Sequence, residues 1–173
     1  MASTYKELLP GIDTFIFDVD GVFTDGRVLV MPGLDPVRVF HSRDAYALQH
    51  AIKEGYRLII ITGGRSEGMK ESLLRSGVKE YFDHVYDKRA KLEELIAEGL
   101  DPHRAAYMGD DLPDLRVMER VALPCCPADA VPEIKAISRF ISGKEGGQGC
   151  VRDLLEQAMK VQGKWLTEGA YTW

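Results

Sequence analysis

The sequence predicts an α/β fold, a Rossmann-like three-layer sandwich around a mostly parallel central sheet, with one projecting β-hairpin. Two observations lead there. Short apolar, β-branched or aromatic runs alternate along the chain with segments of helical periodicity, and most of those runs end at glycine, proline or aspartate. Strand, helix, strand, helix returns the chain in the same direction each time, which gives parallel pairing with helices on both faces.

Taken in order, Thr14–Phe17 reads as the first buried strand. Residues 27–31 and 37–41 are short β-rich runs joined by Pro32-Gly33-Leu34-Asp35-Pro36, which predicts a hairpin over about 27–41. Ala45, Leu48 and Ile52 recur at helical spacing. Residues 57–62 form the second strand and stop at Gly63-Gly64; a helix and a short strand fit before Lys88. Leu92, Leu95 and Ile96 mark a helix over 88–98. Ala105–Met108 stops at Gly109, residues 121–123 precede Pro124, and 139–141 supply a last strand. Val151, Leu154, Leu155, Ala158 and Met159 give the clearest amphipathic stripe, on a C-terminal helix followed by a tail, 150–173. No repeat or linker divides the chain, so residues 1–173 read as one domain.

The 173 residues suffice for a core without metal or disulfide staples. A 45% hydrophobic and 28% charged composition is that of a globular chain. The net charge of −5, with no Lys/Arg run, disfavours nucleic acid and anionic membrane as partners. Cys125 and Cys126 are adjacent and Cys150 is a third, so all three read as reduced thiols. Residues 1–10 hold no apolar leader-like core, and no apolar run approaches the ~18 residues of a membrane span. The expected location is the cytoplasm.

Open parallel sheets bind ligands outside the carboxyl ends of their strands. Asp18, Thr62 and Asp110 all fall at or just beyond such ends. In Asp18-Val19-Asp20-Gly21 two carboxylates follow an apolar strand, where they are costly to desolvate without a cation or donors. Gly109-Asp110-Asp111-Leu112-Pro113-Asp114 crowds three more at another strand end, and an all-oxygen donor set suits Mg²⁺. Thr62 with Gly63 and Gly64 offers a hydroxyl and free N–H groups at the start of a helix, a phosphate cradle. Lys88 opens the following helix and can bring an ammonium beside that phosphate; Lys91, three residues on, is the alternative. The four histidines are scattered and none stands at zinc-finger spacing from a cysteine.

In this order and spacing, Asp18-x-Asp20, Thr62, Lys88 and Gly109-Asp110-Asp111-x-x-Asp114 resemble the four motifs of the haloacid dehalogenase superfamily of phosphotransferases, over about residues 12–152. The resemblance implies that Asp18 is the nucleophile, forming an aspartyl-phosphate, and that Asp20 protonates the leaving alcohol and later activates water. It implies Mg²⁺ held by the Asp18 carboxylate, the Asp20 carbonyl and Asp110, with Asp111 and Asp114 acting through water or as supports. Thr62, Gly63 and Lys88 would bind the phosphoryl oxygens. The intervals between Asp18 and Thr62 and between Thr62 and Lys88 are too short for the large cap domain that many members carry, so the fold is expected to be capless.

A narrower resemblance rests on Phe17-Asp18-Val19-Asp20-Gly21-Val22-Phe23-Thr24-Asp25-Gly26, the hairpin, Ser42-Arg43-Asp44-Ala45-Tyr46-Ala47, Tyr107-Met108-Gly109-Asp110-Asp111 and Gly146-Gly147-Gln148-Gly149-Cys150-Val151-Arg152-Asp153. These stretches look like the 3-deoxy-D-manno-octulosonate 8-phosphate phosphatases, capless enzymes whose hairpins build the core of a tetramer in which a neighbour closes the site. This implies a phosphorylated 2-keto-3-deoxy sugar acid as substrate and a homotetramer as the working form. Departures lie after Thr62, where many relatives carry Arg and this chain has Gly63-Gly64 before Arg65, and at Gln148 and Asp153, where Arg and Glu are common. Arg65 is the first candidate to grip the sugar carboxylate, with Arg43, Arg75 and Arg152 behind it. Nine-carbon 2-keto acid 9-phosphates are the nearest competing substrates. The rival classes are a macromolecular phosphatase and a catalytically silent binding or assembly module.

Overall fold

In the computed structural model residues 4–173 are described, so the first three residues of the polar 1–10 stretch lie outside it. The sheet is built from β1 (Thr14–Phe17), β2 (Arg57–Ile61), β3 (Glu80–Phe82), β4 (Ala105–Met108), β5 (Leu123–Cys126) and β6 (Phe140–Ile141). They form a six-stranded sheet in the order β3-β2-β1-β4-β5-β6, every pair parallel. Strand order therefore reverses at β1, which puts the topological switch point at its carboxyl end.

Continuous apolar runs form these strands because both faces are covered. Phe15, Phe17, Leu58, Ile60, Ala106 and Met108 point to one face, beneath α2 (Ser42–Lys53), α3 (Glu67–Arg75) and α7 (Cys150–Val161). Ile16, Ile59, Ile61, Ala105 and Tyr107 point to the other, beneath α4 (Lys88–Ala97), α5 (Leu112–Met118) and α6 (Pro132–Ile137). The α7 stripe of Val151, Leu154, Leu155, Ala158 and Met159 is fully buried. On α2 the buried apolar face centres on Ala47, Leu48 and Ala51 rather than on Ala45.

Two strand expectations shift. The fifth strand runs through Pro124 instead of ending before it. Pro124 turns its carbonyl toward β6, accepting from Arg139 N–H at 2.9 Å. Its missing N–H faces that same side, ahead of the first β6 pair, so little of the ladder is lost. The hairpin is also slighter than its two β-rich runs suggest. Leu29 and Val37 exchange both backbone bonds at 3.1 Å in a single antiparallel bridge, and the flanking residues are not paired as strands. Beyond α7, the tail folds back over α2 of its own chain. Lys53 Nζ donates to Thr172 O at 2.7 Å, and Lys164 Nζ to Glu54 O at 3.0 Å.

Candidate active site

At the switch point, Asp18 N–H still donates to Met108 O at 3.0 Å, so the β1–β4 ladder fixes the backbone that carries the first carboxylate. Carboxylate oxygens of Asp18, Asp110 and Asp114 lie within 4.8 Å of one another. Lys88, buried at the start of α4, places Nζ 2.8 Å from Asp18 Oδ1 and 2.7 Å from Asp114 Oδ1. Lys91 instead meets exposed Glu94 and covers the Phe82 ring at 4.7 Å, so the two candidate lysines part company.

The three carboxylates differ in their partners. Asp114 accepts from Lys88, from the buried Tyr107 hydroxyl at 2.8 Å and from Asp110 N–H at 3.2 Å, which compensates its charge. Burial and the nearby carboxylates push the Tyr107 phenol well above its usual value, so it stays a donor. Asp18 has Lys88, yet burial and Asp114 push its pKa up to about 7. Burial, then Asp18 and Asp114, push Asp110 up to about 8. Burial opposes the Lys88 charge, but Asp18 and Asp114 outweigh it and raise its pKa. One ammonium thus faces three carboxylates, and Asp18 and Asp110 are left short of positive charge. An oxygen-only set of this kind fits a hard divalent cation such as Mg²⁺.

The loop after β1 is held tightly against this cluster. Gly21 has φ +89°, and a Cβ there would stand 2.0 Å from Asp110 Oδ2, so both the turn and the close approach require glycine. Thr24 is buried, and its Oγ1 accepts from Gly26 N–H at 3.2 Å. From the far end of the chain, Gly147 N–H donates to Val22 O at 2.9 Å, while a Cβ on Gly146 would lie 2.1 Å from Gly21 O. The Gly146-Gly147-Gln148-Gly149 stretch is therefore a buttress for the Asp18 loop of its own chain.

Asp20 lines the same cleft but stands outside the three-carboxylate cluster. Its two oxygens meet Arg38 instead, at 2.6 Å from Nε and 2.9 Å from Nη2. Thr62, Gly63 and Gly64 line the opposite wall, and Gly64 N–H donates to Thr62 Oγ1 at 3.2 Å. The helix behind them begins at Glu67, capped by Ser66, so this wall is a loop and not a helix start. Asp111 caps α5 through Leu112 N–H at 2.7 Å. The cleft has a volume of about 400 Å³ and is open at the exposed Tyr86.

Asp18, Asp20, Thr62, Gly63, Lys88, Asp110, Asp111 and Asp114 thus converge on one cleft. Arg65 and Arg43 do not line it. Arg65 is exposed beside Glu67, and Arg43 lines two other clefts with Arg152. Position explains Arg43: it opens α2 on the exposed side, whereas its neighbour Asp44 is buried and accepts Arg152 N–H at 2.7 Å. Arg38, Tyr86 and Tyr107 were not singled out from the sequence. Two signals were available: a phenol in a buried strand needs a partner, and an arginine between Val37 and Val39 alternates to the inner face.

No protein-family model matches the chain. It is 30% identical over 154 residues to the 3-deoxy-D-manno-octulosonate 8-phosphate phosphatase of Escherichia coli (strain K12), covering 88% of this chain and 82% of that one. The crystal structure of the same-named phosphatase from Yersinia pestis matches with a TM-score of 0.88 at 30% identity, over 92% of this chain and 86% of the other. That from Moraxella catarrhalis, solved in complex with magnesium ion, phosphate ion and a KDO molecule, matches with a TM-score of 0.87 at 29% identity over 91% of each chain.

Proposed function

The chain belongs to the 3-deoxy-D-manno-octulosonate 8-phosphate phosphatase family of the haloacid dehalogenase superfamily, and on that premise we propose that it hydrolyses 3-deoxy-D-manno-octulosonate 8-phosphate to the free sugar acid and inorganic phosphate. It is a phosphoric monoester hydrolase. The observation that carries the reading is the Asp18–Lys88 contact of 2.8 Å at the switch point, beside Asp110 and in a cleft with Asp20 and Thr62.

In this reading an Asp18 oxygen attacks phosphorus, the P–O bond to the sugar breaks, and the leaving oxygen takes a proton from Asp20. Asp20, now a carboxylate, removes a proton from water; the water oxygen attacks phosphorus and releases phosphate and the Asp18 carboxylate. Lys88 and Thr62 hold the phosphoryl oxygens, and Asp114 with Tyr107 fixes Lys88. Asp18 and Asp110, with the Asp20 carbonyl, would hold Mg²⁺, which when bound would supply positive charge to keep the nucleophile ionised and offset the phosphoryl charge. Asp111 and Asp114 support that arrangement. Arg65, exposed on the loop after Gly64, is assigned to the sugar carboxylate; Arg43 is not.

The reading extends to assembly and place. Leu29, Val30, Leu34, Val37 and Val39 are exposed on the hairpin, which supports a homotetramer joined there, with a neighbour closing the open cleft. Residues 1–173 then act as one catalytic domain. Three free buried cysteines support a reducing cytoplasm, and no helix among the described residues is long and apolar enough to cross a membrane.

The test is phosphate release from the eight-carbon ester and from nine-carbon 2-keto acid 9-phosphates, with Mg²⁺ or EDTA, for wild type and Asp18→Asn. Mg²⁺-dependent release, fastest on the eight-carbon ester and lost in Asp18→Asn, is expected. Faster release from a nine-carbon ester overturns the substrate. No release from any ester overturns the reaction.

A further inference from the structure

Among the described residues Arg38 is the guanidinium that grips a cleft-lining carboxylate, Asp20, and it arrives from an unexpected place. It sits on the hairpin between Val37 and Val39, which are 48% and 78% exposed, while its own side chain is only 6% exposed. Side-chain alternation beyond the Val37 bridge explains the contrast: Val37 and Val39 are exposed, while Arg38 and Phe40 turn inward. Phe40 meets the Phe23 ring edge-on at 5.8 Å, and Phe23 meets Phe17 of β1 at 5.4 Å, so an aromatic ladder anchors this arm of the hairpin to the core. That anchoring fixes where the guanidinium lies.

Its hydrogen bonds are nearly filled. Nε and Nη2 grip the two Asp20 oxygens at 2.6 and 2.9 Å, and Nη1 donates to Pro36 O and Arg65 O, each at 3.3 Å. The fork-to-carboxylate geometry leaves Asp20 little rotational freedom. A carboxylate two residues from Asp18 could otherwise turn toward Lys88, the nearest buried ammonium, and leave the mouth of the cleft. The pair also joins three loops: the one after β1, the hairpin, and the one after β2.

We propose that Arg38 is the positioning residue for Asp20: carried in on the hairpin, it holds the Asp20 carboxyl group at the mouth of the cleft, where it exchanges a proton with the ester oxygen. The proposal rests on the assignment of Asp20 as proton donor and acceptor above. Arg38 acts through Asp20 and makes no contact of its own with substrate.

A double-mutant cycle tests this, using 3-deoxy-D-manno-octulosonate 8-phosphate and Mg²⁺ with wild type, Arg38→Met, Asp20→Asn and the pair. Arg38→Met is expected to lower kcat by about a hundredfold with KM within about threefold of wild type, since misplacement of a catalytic group costs on that scale. In the Asp20→Asn background the same substitution is expected to cost less than about threefold. Arg38→Lys, which keeps the charge and loses the fork, should recover part of the loss. With p-nitrophenyl phosphate, whose leaving group needs no proton, the Arg38→Met defect should shrink to below about tenfold. Melting temperatures report folding, and if Arg38→Met does not fold the cycle is read with Arg38→Lys. An unchanged kcat, a loss as large in Asp20→Asn as in wild type, or a raised KM at constant kcat each overturns the proposal. Activity surviving in Asp18→Asn overturns the reaction itself, and Arg38's role with it.

Discussion

The ends of β1 and β4 and the hairpin between β1 and α2 are two solutions to placing side chains, and they contrast in almost every respect. At the strand ends the backbone is locked by the ladder, Asp18, Lys88 and Asp114 are almost wholly buried, and each charge meets another within 2.8 Å. The hairpin pairs at one bridge, and Val30 and Val39 are 75% and 78% exposed. Yet the hairpin delivers Arg38 to Asp20. The crowded charges are built on the core; Asp20, the proposed proton donor, is held from an element whose outer face is still open.

The largest expected effect comes from the core side of that contrast. In the proposed mechanism Asp18→Asn removes the attacking oxyanion and keeps the shape, so phosphate release should fall by at least about a thousandfold while melting temperature holds or rises. The rise follows because one of three crowded carboxylates has become neutral. Residual turnover above that level would mean that another group attacks phosphorus.

Next in size is Lys88→Met. Removing the ammonium leaves Asp18 and Asp114 buried and facing each other, and breaking a buried pair costs about 3 kcal/mol. Activity and stability should therefore drop together, read by phosphate release and urea unfolding. Lys91→Met, on the surface beside Glu94, should alter neither. A stable Lys88→Met protein would show that the cluster is compensated in some other way.

A smaller effect separates the cluster from the rest of the buried charge. Asp18, Asp110 and Asp44 are raised from 3.8 to about 7, 8 and 7, so the folded chain holds protons that the unfolded chain releases. Stability from these groups is full below the ordinary aspartate value and is lost as pH rises through their folded values. In EDTA the melting temperature should fall between about pH 5 and about pH 8. Mg²⁺ should restore more at the upper end, because it competes with protons at Asp18 and Asp110. It cannot reach Asp44, which lies between α2 and α7, so some slope should persist. A metal-free melting temperature that climbs over this range would contradict the burial argument.

What the sequence made legible follows the same division. Asp18, Thr62 and Asp110 could be located because strand ends are visible as the stops of apolar runs, and sheet topology then gathers them. Lys88 was legible as a helix opening, and packing brings it, rather than Lys91, against Asp18 and Asp114. Pro124 misled because proline is read as a strand stop, and it is harmless where no partner strand needs its N–H. Where Arg38 and Arg43 face was not legible for one reason: which way a side chain turns depends on contacts with residues distant in the chain. Arg38 meets Asp20 across a loop, and the burial of Asp44 against α7 leaves Arg43 outside.

The smallest expected effect on the isolated fold comes from the hairpin's outer face, and there the contrast is sharpest. Val39→Lys places a charge on a side chain that is already solvated in the single chain, so the melting temperature of a monomer should shift by no more than a few degrees. If the exposed row of Leu29, Val30, Val37 and Val39 is where copies meet, the same substitution should split the assembly, read by sedimentation or light scattering. It should also lower turnover, because Arg38 is the next residue along the same arm of the hairpin and hairpin freedom becomes Asp20 freedom. Asp18–Lys88 geometry should be untouched, so Mg²⁺ should still raise the melting temperature. An oligomer that survives Val39→Lys with full activity would mean that the hairpin's outer face is solvent and that Phe40 alone is enough to hold Arg38 in place.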